Sequence, residues 1–384
     1  MKEGRVKKQM IKIVIGGDIC PIGNVAKAFA NGNAQEIFHD LLEVIQSSDL
    51  SITNLECPLV SQKKPIPKSG PALSADIKCI NGFVNAKIDV LNLANNHILD
   101  HGSDGLKETI TIIQKASIKT VGAGINIMEA QKPLIKEIEG KRIVLYSMAE
   151  HEFSIADEQN PGANPLDIIN FVNAIRLYKK DSIFIVLIHG GNEYYSYPSP
   201  EVMRRCRFMV EMGADAVVCS HTHCALPWET YRDRPIIYGM GNLIFESLNP
   251  LPDIWYEGFL TKLIIENSSV EAEIIPYHQS RAGVGARLMV DHEKNKFFET
   301  MQIKCEEIKN PATVEKRWIE HCKKNRAFYL SCLFAYNRVM HKLNKFFLKT
   351  LHSEKALLDS LNMVECEAHR EVVLTILKLL RRNK

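Results

Sequence analysis

The stretch from Gly213 to Glu246, GADAVVCSHTHCALPWETYRDRPIIYGMGNLIFE, begins with a predicted strand that runs into two histidines. The apolar run Ala216–Cys219 is typical of a buried strand, and Ser220-His221-Thr222-His223 follows it. If this segment stays extended, His221 and His223 share one face; if it curls into a loop, they can still converge on one point. Because imidazole is the commonest side-chain ligand of divalent transition metals, the pair indicates a metal site. A surface loop that happens to hold two histidines is the alternative, and this motif alone does not exclude it.

A second strand is predicted in the same stretch, from Pro235 to Tyr238. It leads into Gly239-Met240-Gly241-Asn242, where the glycines allow the backbone to approach a site closely. Asn242 is therefore a candidate for positioning a substrate, although hydrogen bonding within the loop explains it equally well.

Four other predicted strands also end in side chains that can bind a ligand. In open α/β sheets, ligand sites lie beyond the carboxyl ends of the strands. The strands and the residues at their ends are Ile11–Ile15 with Asp18, Leu50–Leu55 with Asn54 and Glu56, Val90–Leu93 with Asn96, His97 and Asp100, and Asp181–Ile188 with His189, Glu193 and Tyr194.

Each of these groups has an ordinary structural explanation when it is taken alone, such as a turn, a helix cap or a hydrogen-bonded histidine. Five strand ends that all carry nitrogen or oxygen donors are harder to explain as solvated surface. The mixture of carboxylate, amide and imidazole suits Mn²⁺, Fe or Zn²⁺ and is too rich in nitrogen for Ca²⁺. Because there are more candidate ligands than one tetrahedral zinc needs, we expect two divalent metal ions.

Composition and charge place the chain among ordinary globular proteins. It has 384 residues, of which 46% are hydrophobic and 24% charged, with a net charge of +3. The charge is uneven, since Met301 to Lys384 contains 17 Lys and Arg against 9 Asp and Glu. From about Val314 the pattern is helical and basic, which predicts one domain over residues 1–312 and a helical C-terminal extension over residues 313–384.

The extension contains apolar side chains interleaved with Lys and Arg, namely Phe328, Leu330, Leu333, Phe334, Phe346, Phe347 and Leu348. Helices packed on the body or on a second subunit are one explanation. An amphipathic surface that contacts an anionic membrane or a polymer-making partner is the other.

Cysteine usage and hydropathy predict a cytoplasmic protein, with peripheral contact at the inner face of the membrane as an open alternative. The ten cysteines never form C-x-x-C, which favours reduced thiols in a cytosolic protein over a disulfide framework. The first apolar run is too short for a signal-peptide core, and no segment approaches the roughly 20 apolar residues that a membrane helix needs. The Pro/Lys/Ser-rich stretch Ser61–Ala75 predicts a surface loop that serves as a flap beside the substrate.

Six motifs in this order resemble one known family. They are Gly-Asp at 17–18, Asn-Leu-Glu at 54–56, Asn-Asn-His-x-x-Asp-x-Gly at 95–102, His-Gly-x-x-Glu-Tyr at 189–194, Gly-Ala-Asp at 213–215 followed by His-x-His at 221–223, and Tyr-x-x-Gly-Asn at 238–242. The order resembles the poly-γ-glutamate capsule synthesis (CapA-type) family, a branch of the calcineurin-like metallophosphatase superfamily. The resemblance extends over about Ile11 to Tyr277 and leaves out the basic extension.

The resemblance implies a four-layer α/β sandwich of two mixed sheets flanked by helices, with a dinuclear metal site. By the family's pattern, Asp18 and His223 would hold the first metal, Glu56 would bridge, and Asn96, His189 and His221 would hold the second. His97 would be the general acid, oriented by Asp100. Asn54, Glu193, Tyr194 and Asn242 are the candidates for binding substrate.

Three positions depart from the phosphatase pattern. Cys20 occupies the place of a histidine and would be either a ligand or a structural residue, Glu56 replaces an aspartate, and Ser220 replaces a glycine. Because of these departures, the sequence leaves two alternatives for the electrophile of the substrate, phosphorus or an amide carbonyl.

We therefore expect a CapA-like, metal-dependent hydrolase-type protein in the biosynthesis of a capsule (poly-γ-glutamate) or another surface polymer. The rival hypotheses are a metallophosphoesterase acting on a small phosphorylated metabolite and a non-catalytic subunit of a polymer synthase complex. The expected partners are a polymer or phosphorylated small-molecule substrate and a membrane-bound synthase, without nucleic acid.

Overall fold

The computed structural model describes residues 10–247, 251–280, 283–333 and 353–382, and two mixed β-sheets form its centre. The strands in chain order are β1 (Met10–Cys20), β2 (Leu50–Leu55), β3 (Leu59–Val60), β4 (Ala75–Asp76), β5 (Val90–Asn92), β6 (Lys119–Val121), β7 (Ala123–Gly124), β8 (Leu134–Ile138), β9 (Lys141–Ala149), β10 (Gly162–Ala163), β11 (Ser182–His189), β12 (Ala216–Ser220), β13 (Trp228–Tyr231), β14 (Arg234–Ile237), β15 (Asn242–Phe245), β16 (Glu257–Glu266), β17 (Ser269–Gln279) and β18 (Ala286–Leu288).

Helices cover the outer faces of these sheets and make up the C-terminal part of the chain. They are α1 (Val25–Ala30), α2 (Ala34–Phe38), α3 (Leu41–Gln46), α4 (Ile80–Ala86), α5 (Gly102–Lys115), α6 (Ile127–Ala130), α7 (Ile168–Tyr178), α8 (Pro200–Glu211), α9 (Asp291–Glu307), α10 (Pro311–Leu333), α11 (Glu354–Glu365) and α12 (Glu367–Arg382), with short 3₁₀ turns at Ile77–Cys79 and Asp253–Trp255.

The first sheet has the order β18-β17-β16-β1-β2-β5-β6. Strands β1, β2, β5 and β6 are parallel, whereas β16, β17 and β18 are antiparallel to their neighbours. Strand β1 changes partner along its length, because Met10–Ile15 pairs with β16 and Asp18–Cys20 pairs with β15. The strand therefore extends to Cys20, beyond the predicted end at Ile15, and Asp18 lies within it.

The second sheet has the order β13-β14-β12-β11-β9-β8. Its four central strands, β9, β11, β12 and β14, are parallel, and the edge strands β8 and β13 are antiparallel. Two hairpins contribute to the sheets: β8–β9 turns at Glu139-Gly140, and β16–β17 turns at Asn267-Ser268.

Three apolar cores divide the body into four layers. Alternate residues of β11 point to opposite faces of the second sheet, as the two-residue period of a strand requires. Ile183, Ile185 and Leu187 join β1 residues in the core between the sheets, whereas Phe184, Val186 and Ile188 face α7 and α8. A third core lies between the first sheet and α1 to α5. The predicted sandwich of two mixed sheets flanked by helices is confirmed.

One predicted helix is divided in two. The apolar spacing predicts a single helix from Gln35 to Ser47, but α2 ends at Phe38 and α3 begins at Leu41. His39 between them has φ +43°, a left-handed conformation that ends a helical turn. The apolar spacing survives the break because Ile37 and Leu41 both pack in the same core.

The C-terminal extension packs against the body through its own apolar cluster. Trp318 on α10 and Val372 on α12 are buried there, and the ring of Tyr195 from the loop after β11 lies 5.7 Å from that of Trp318. Of the extension's stripe, Phe334, Phe346, Phe347 and Leu348 lie outside the described residues. Helix α10 begins at Pro311, close to the predicted boundary at residue 312, and that boundary stays a prediction. Within the described residues, no helix has the length and apolar content needed to cross a membrane.

Replacing Gly17 should destabilise the junction where β15 joins β1. A Cβ on Gly17 would lie 2.0 Å from the carbonyl oxygen of Gly241, so Gly17→Ala forces two backbones apart. We expect the free energy of unfolding to fall by about 2 kcal/mol or more, in the range of overpacked interiors, as measured by urea denaturation. Gly70→Asn is the control, because no heavy atom of the described residues lies within 4 Å of its Cβ position and asparagine tolerates its φ of +80°. Equal losses in the two variants would contradict this prediction.

The docking of the extension should make stability depend on pH. Burial raises the pKa of Glu371, which accepts hydrogen bonds from Ser199 Oγ and Glu201 N, from 4.5 to about 7. Between these values the folded chain keeps a proton that the unfolded chain loses, so the unfolding free energy falls as pH rises, on the order of 1 kcal/mol per pH unit. Denaturation series from pH 4.5 to 7 should give a flatter slope for Glu371→Gln and an unchanged slope for the exposed control Glu299→Gln.

Candidate metal centre

The predicted site residues lie together where the carboxyl ends of the two sheets meet. Their side chains come from β1, β2, β11 and β15 and from the loops after β2, β5, β11 and β12. The buried members are Asp18, Asn54, Glu56, Asn96, His97, Asp100, His189, His221, His223 and Asn242. The structure thus brings together residues that are far apart in the sequence.

Asp18 is held by both neighbouring strands. A shift in the β1–β2 register between Gly16 and Asp18 marks a bulge, which turns the side chain at this point. Its Oδ1 accepts a 2.7 Å hydrogen bond from Asn54 Nδ2, and its Oδ2 accepts a 2.9 Å bond from the backbone N–H of His221. Asn54 Oδ1 also accepts from the amides of Asn92 and Asn95. The contact of Asn54 with substrate stays a prediction.

Glu56 lies at the centre of the cluster, and among the described residues neither of its carboxylate oxygens has a hydrogen-bond partner, although its side chain is fully buried. Burial, followed by the charges of Asp18 and Glu193, raises the pKa of Glu56 well above its ordinary value. Its carboxylate belongs to two groups whose ligand atoms lie within 4.8 Å of one another, namely Glu56 with His189 and His221, and Glu56 with Asp18 and His223. A cation held beside Glu56 would stabilise the charged form of this carboxyl group, and the two groups of donors fit a pair of divalent metal ions.

The histidines near Glu56 are arranged as neutral ligands. His189 Nε2 lies 3.0 Å from both Asn96 Oδ1 and His221 Nδ1, and 3.7 Å from Glu56 Oε1. Burial lowers the pKa of His189 and of His221, and the proximity of the imidazoles lowers that of His189 further. Neutral imidazole is the form that binds a metal ion.

The His-x-His segment curls into a loop, which decides between the two conformations left open by the sequence. His221 has φ +95° and His223 has φ +54°, values that are uncommon for residues other than glycine. Nδ1 of His223 lies 2.8 Å from Asn242 Oδ1, while its Nε2 lies 3.9 Å from Glu56 Oε1. When Nδ1 donates to the amide oxygen, the lone pair on Nε2 is free for a ligand.

His97 and Asp100 form a pair beside this cluster. His97 Nδ1 lies 2.6 Å from Asp100 Oδ2, as expected if Asp100 orients the imidazole. Lys68, which the sequence analysis did not single out, donates to Asp100 Oδ1 at 2.6 Å and to the carbonyl of Asn96 at 3.0 Å. Its loop is the predicted flap, but Lys63 and Lys64 lie in the same loop and no spacing distinguishes Lys68 from them.

Glu193 and Tyr194 lie at the open side of the cluster. The side chain of Glu193 is 43% exposed, with Oε1 3.9 Å from His223 Nε2. The ring of Tyr194 is stacked on that of Trp255, 5.9 Å between centroids. Both residues can reach a bound molecule, and their predicted contact with substrate stays a prediction.

Cys20 lies in the core beneath the first sheet and belongs to none of the groups of possible metal ligands among the described residues. Burial and the neighbouring Cys57 raise the pKa of its thiol well above the ordinary value. A protonated, buried thiol is the structural cysteine that the sequence analysis left as one alternative.

Comparison with known proteins gives one family match. Residues 12–247 match the family model described as "Bacterial capsule synthesis protein PGA_cap". These residues contain all the predicted metal ligands, and the resemblance stated from the motifs is confirmed.

Two of the curated relatives come from Bacillus. The chain is 28% identical over 251 residues to "Capsule biosynthesis protein CapA" of Bacillus anthracis, covering 63% of this chain and 61% of that protein. It is 30% identical over 237 residues to "PGA biosynthesis protein CapA" of Bacillus subtilis (strain 168), covering 60% and 62%. The match thus spans about three fifths of the length of these relatives. Among solved structures, 5'-nucleotidase from Candida albicans SC5314 is 12% identical, with a TM-score of 0.40 over 69% of this chain and 51% of that chain.

Removing the charge of Glu56 should separate metal binding from stability. Glu56→Gln removes a buried carboxylate that lacks partners, so we expect the metal-free chain to be at least as stable as the wild type. We also expect Mn²⁺ to raise the melting temperature of the wild type and to have little effect on the variant, because each predicted ion loses a ligand. Differential scanning calorimetry with and without Mn²⁺ measures both effects. The exposed Glu299→Gln should respond as the wild type does, and a Mn²⁺ response retained by Glu56→Gln would contradict the assignment.

Proposed function

We propose that this chain, which belongs to the bacterial capsule synthesis protein PGA_cap family, is a metal-dependent hydrolase. It acts in the biosynthesis of a capsule or another surface polymer. Poly-γ-glutamate is the polymer that the name of the relative in Bacillus subtilis suggests, since that relative is a PGA biosynthesis protein. A membrane-bound synthase is the partner that we propose.

The observation that supports this proposal is the shared position of Glu56. Two sets of donors, one with Asp18 and His223 and the other with His189 and His221, have this single buried carboxylate in common. Neither of its oxygens has a hydrogen-bond partner within the described residues, so Glu56 would be available to help hold both ions. Two divalent ions held there would supply Lewis acidity, which activates water and polarises an electrophilic centre.

The chain's own residues can supply the acid. Asp100 contacts Nδ1 of His97, so Nε2 of this imidazole is left to donate a proton to a leaving group. Lys68 contacts the other oxygen of Asp100 and the backbone of Asn96, and thereby fixes the position of the pair. Asn54 and the backbone of His221 fix Asp18 in the same way from the other side.

The reaction can be tested with two substrate classes. Metal-loaded full-length protein is assayed for hydrolysis of a generic phosphodiester and of γ-glutamyl peptides, with product measured by absorbance and by amine release. We expect metal-dependent turnover, with γ-glutamyl peptides preferred. A preference for the phosphodiester would identify a phosphoesterase, and the absence of turnover on both, together with co-purification of a synthase, would identify a non-catalytic subunit.

Replacement of His97 should reduce the rate without removing the metal. His97→Asn removes the proposed acid, so we expect kcat to fall by about 10²- to 10⁴-fold, as for the loss of general acid catalysis. Metal content, measured by inductively coupled plasma mass spectrometry, should stay at the wild-type value. In the matched His189→Ala, His221→Ala double variant, metal content should fall instead. Unchanged metal content in that double variant would refute the ligand assignment.

A further inference from the structure

The C-terminal extension contacts three segments that surround the metal centre. Ser69 Oγ in the flap donates to Asp359 Oδ1 on α11 at 2.6 Å. His151, just after β9, bonds to Glu367 on α12 through both its backbone N–H and its imidazole. Asn192, in the loop after β11, donates to the carbonyl oxygen of Ala368 at 3.4 Å. These helices lie outside residues 12–247 and yet touch the loops that carry the site.

A chain of polar contacts leads from the extension to Asn96. Asn96 Nδ2 donates to Glu152 Oε2 at 2.6 Å, and Glu152 Oε1 lies 3.5 Å from Nε2 of His369 on α12. Nδ1 of His369 lies 2.9 Å from the hydroxyl of Tyr329 on α10. The side chain of Glu152 is 10% exposed, so this chain of contacts is largely shielded from water.

These contacts determine which atom of Asn96 faces the site. An asparagine side chain carries an oxygen acceptor and a nitrogen donor, and the hydrogen bonds around it decide their orientation. Because Glu152 can only accept, it holds Nδ2 on its own side and leaves Oδ1 toward His189, 3.0 Å from Nε2. The reversed orientation would place two N–H donors against the cation site. Partners that orient a ligand in this way commonly change metal affinity when they are removed.

We infer that the C-terminal extension completes the metal centre. Tyr329 and His369 hold Glu152, and Glu152 holds the Asn96 amide with its oxygen toward the site, so all three are positioning residues. The inference rests on the proposed function, because that proposal places Asn96 among the metal ligands. It adds a role for helices that the family match does not include. The extension is thereby a part of the site.

The test is the affinity of the full-length, chelator-treated protein for Mn²⁺, measured by isothermal titration calorimetry. The wild type should bind two ions. In His369→Leu the affinity for one of them should fall by about tenfold to a hundredfold, the range seen when partners of metal ligands are lost, while the other ion binds as before. Glu152→Leu should give a loss at least as large. Glu152→Gln keeps an acceptor for Asn96 Nδ2 and should recover most of the affinity.

The control variant lies on the same helix. Glu371→Gln changes a contact of α12 with Ser199 and leaves the chain of contacts to Asn96 intact, so both ions should bind as in the wild type. If His369→Leu does not fold, as judged by thermal unfolding of the metal-free chain, Tyr329→Phe takes its place. That variant removes one hydroxyl and should weaken the same ion by a smaller factor.

Three results in the variants would overturn the inference. The first is wild-type affinity for both ions in folded His369→Leu, or in Tyr329→Phe where it replaces that variant. The second is an equal loss of affinity in Glu371→Gln, which would indicate that any weakening of the contact between α12 and the body lowers the affinity. The third is the disappearance of one ion from the stoichiometry in Cys366→Ala, because Glu152, Cys366 and His369 also have ligand atoms within 4.8 Å of one another and would then bind metal directly. A wild type that binds no divalent ion refutes the proposed function and the inference together. A wild type with two ions, matched by His369→Leu, refutes the inference alone.

Discussion

A carboxylate buried without hydrogen-bond partners is the constraint on which this structure depends. Removing a charged group from water costs several kcal/mol even after the protein relaxes, and in the described part of the chain neither oxygen of Glu56 has a hydrogen bond to offset that cost. The surrounding carboxylate Asp18 adds to the repulsion. Glu56 lies at the junction of the two sheets, and two sets of donors share its carboxylate. Cations held by these donors would stabilise its charge.

The backbone around the site is shaped to bring these donors together. Strand β1 leaves its antiparallel partner β16 and pairs with β15 only over its last residues, and the absence of a Cβ at Gly17 lets the carbonyl of Gly241 approach. His221 and His223 both adopt positive φ, a conformation that costs energy and is maintained only where the surroundings enforce it. The fold thus concentrates strain, close backbone contact and buried charge in one region.

The sequence predicted each half of the cluster because parallel strands place their carboxyl ends at one edge of a sheet. The residues after Ile15 and Leu55 are therefore neighbours in the first sheet, and those after Ile188 and Cys219 are neighbours in the second. It did not predict Lys68, since an ammonium in a loop with several lysines is recognisable only when its partner Asp100 is in place. It did not predict Glu152 and His369 either, because they are separated by more than 200 residues and follow no periodic pattern. The break at His39 was also missed, since a single left-handed residue leaves the apolar spacing unchanged.

The body and the C-terminal extension contribute different groups to the site. The donors that can reach a cation come from residues 12–247, the part of the chain that matches the family model. The groups that hold Glu152, which in turn orients Asn96, and the group that holds the flap at Ser69 come from α10, α11 and α12, which lie outside that match. Geometry at a metal centre is sensitive to such outer contacts, because a ligand that turns by one amide flip exchanges an acceptor for a donor. Changes confined to α10, α11 and α12 are therefore expected to alter the metal affinity of the centre without any change in the ligands themselves.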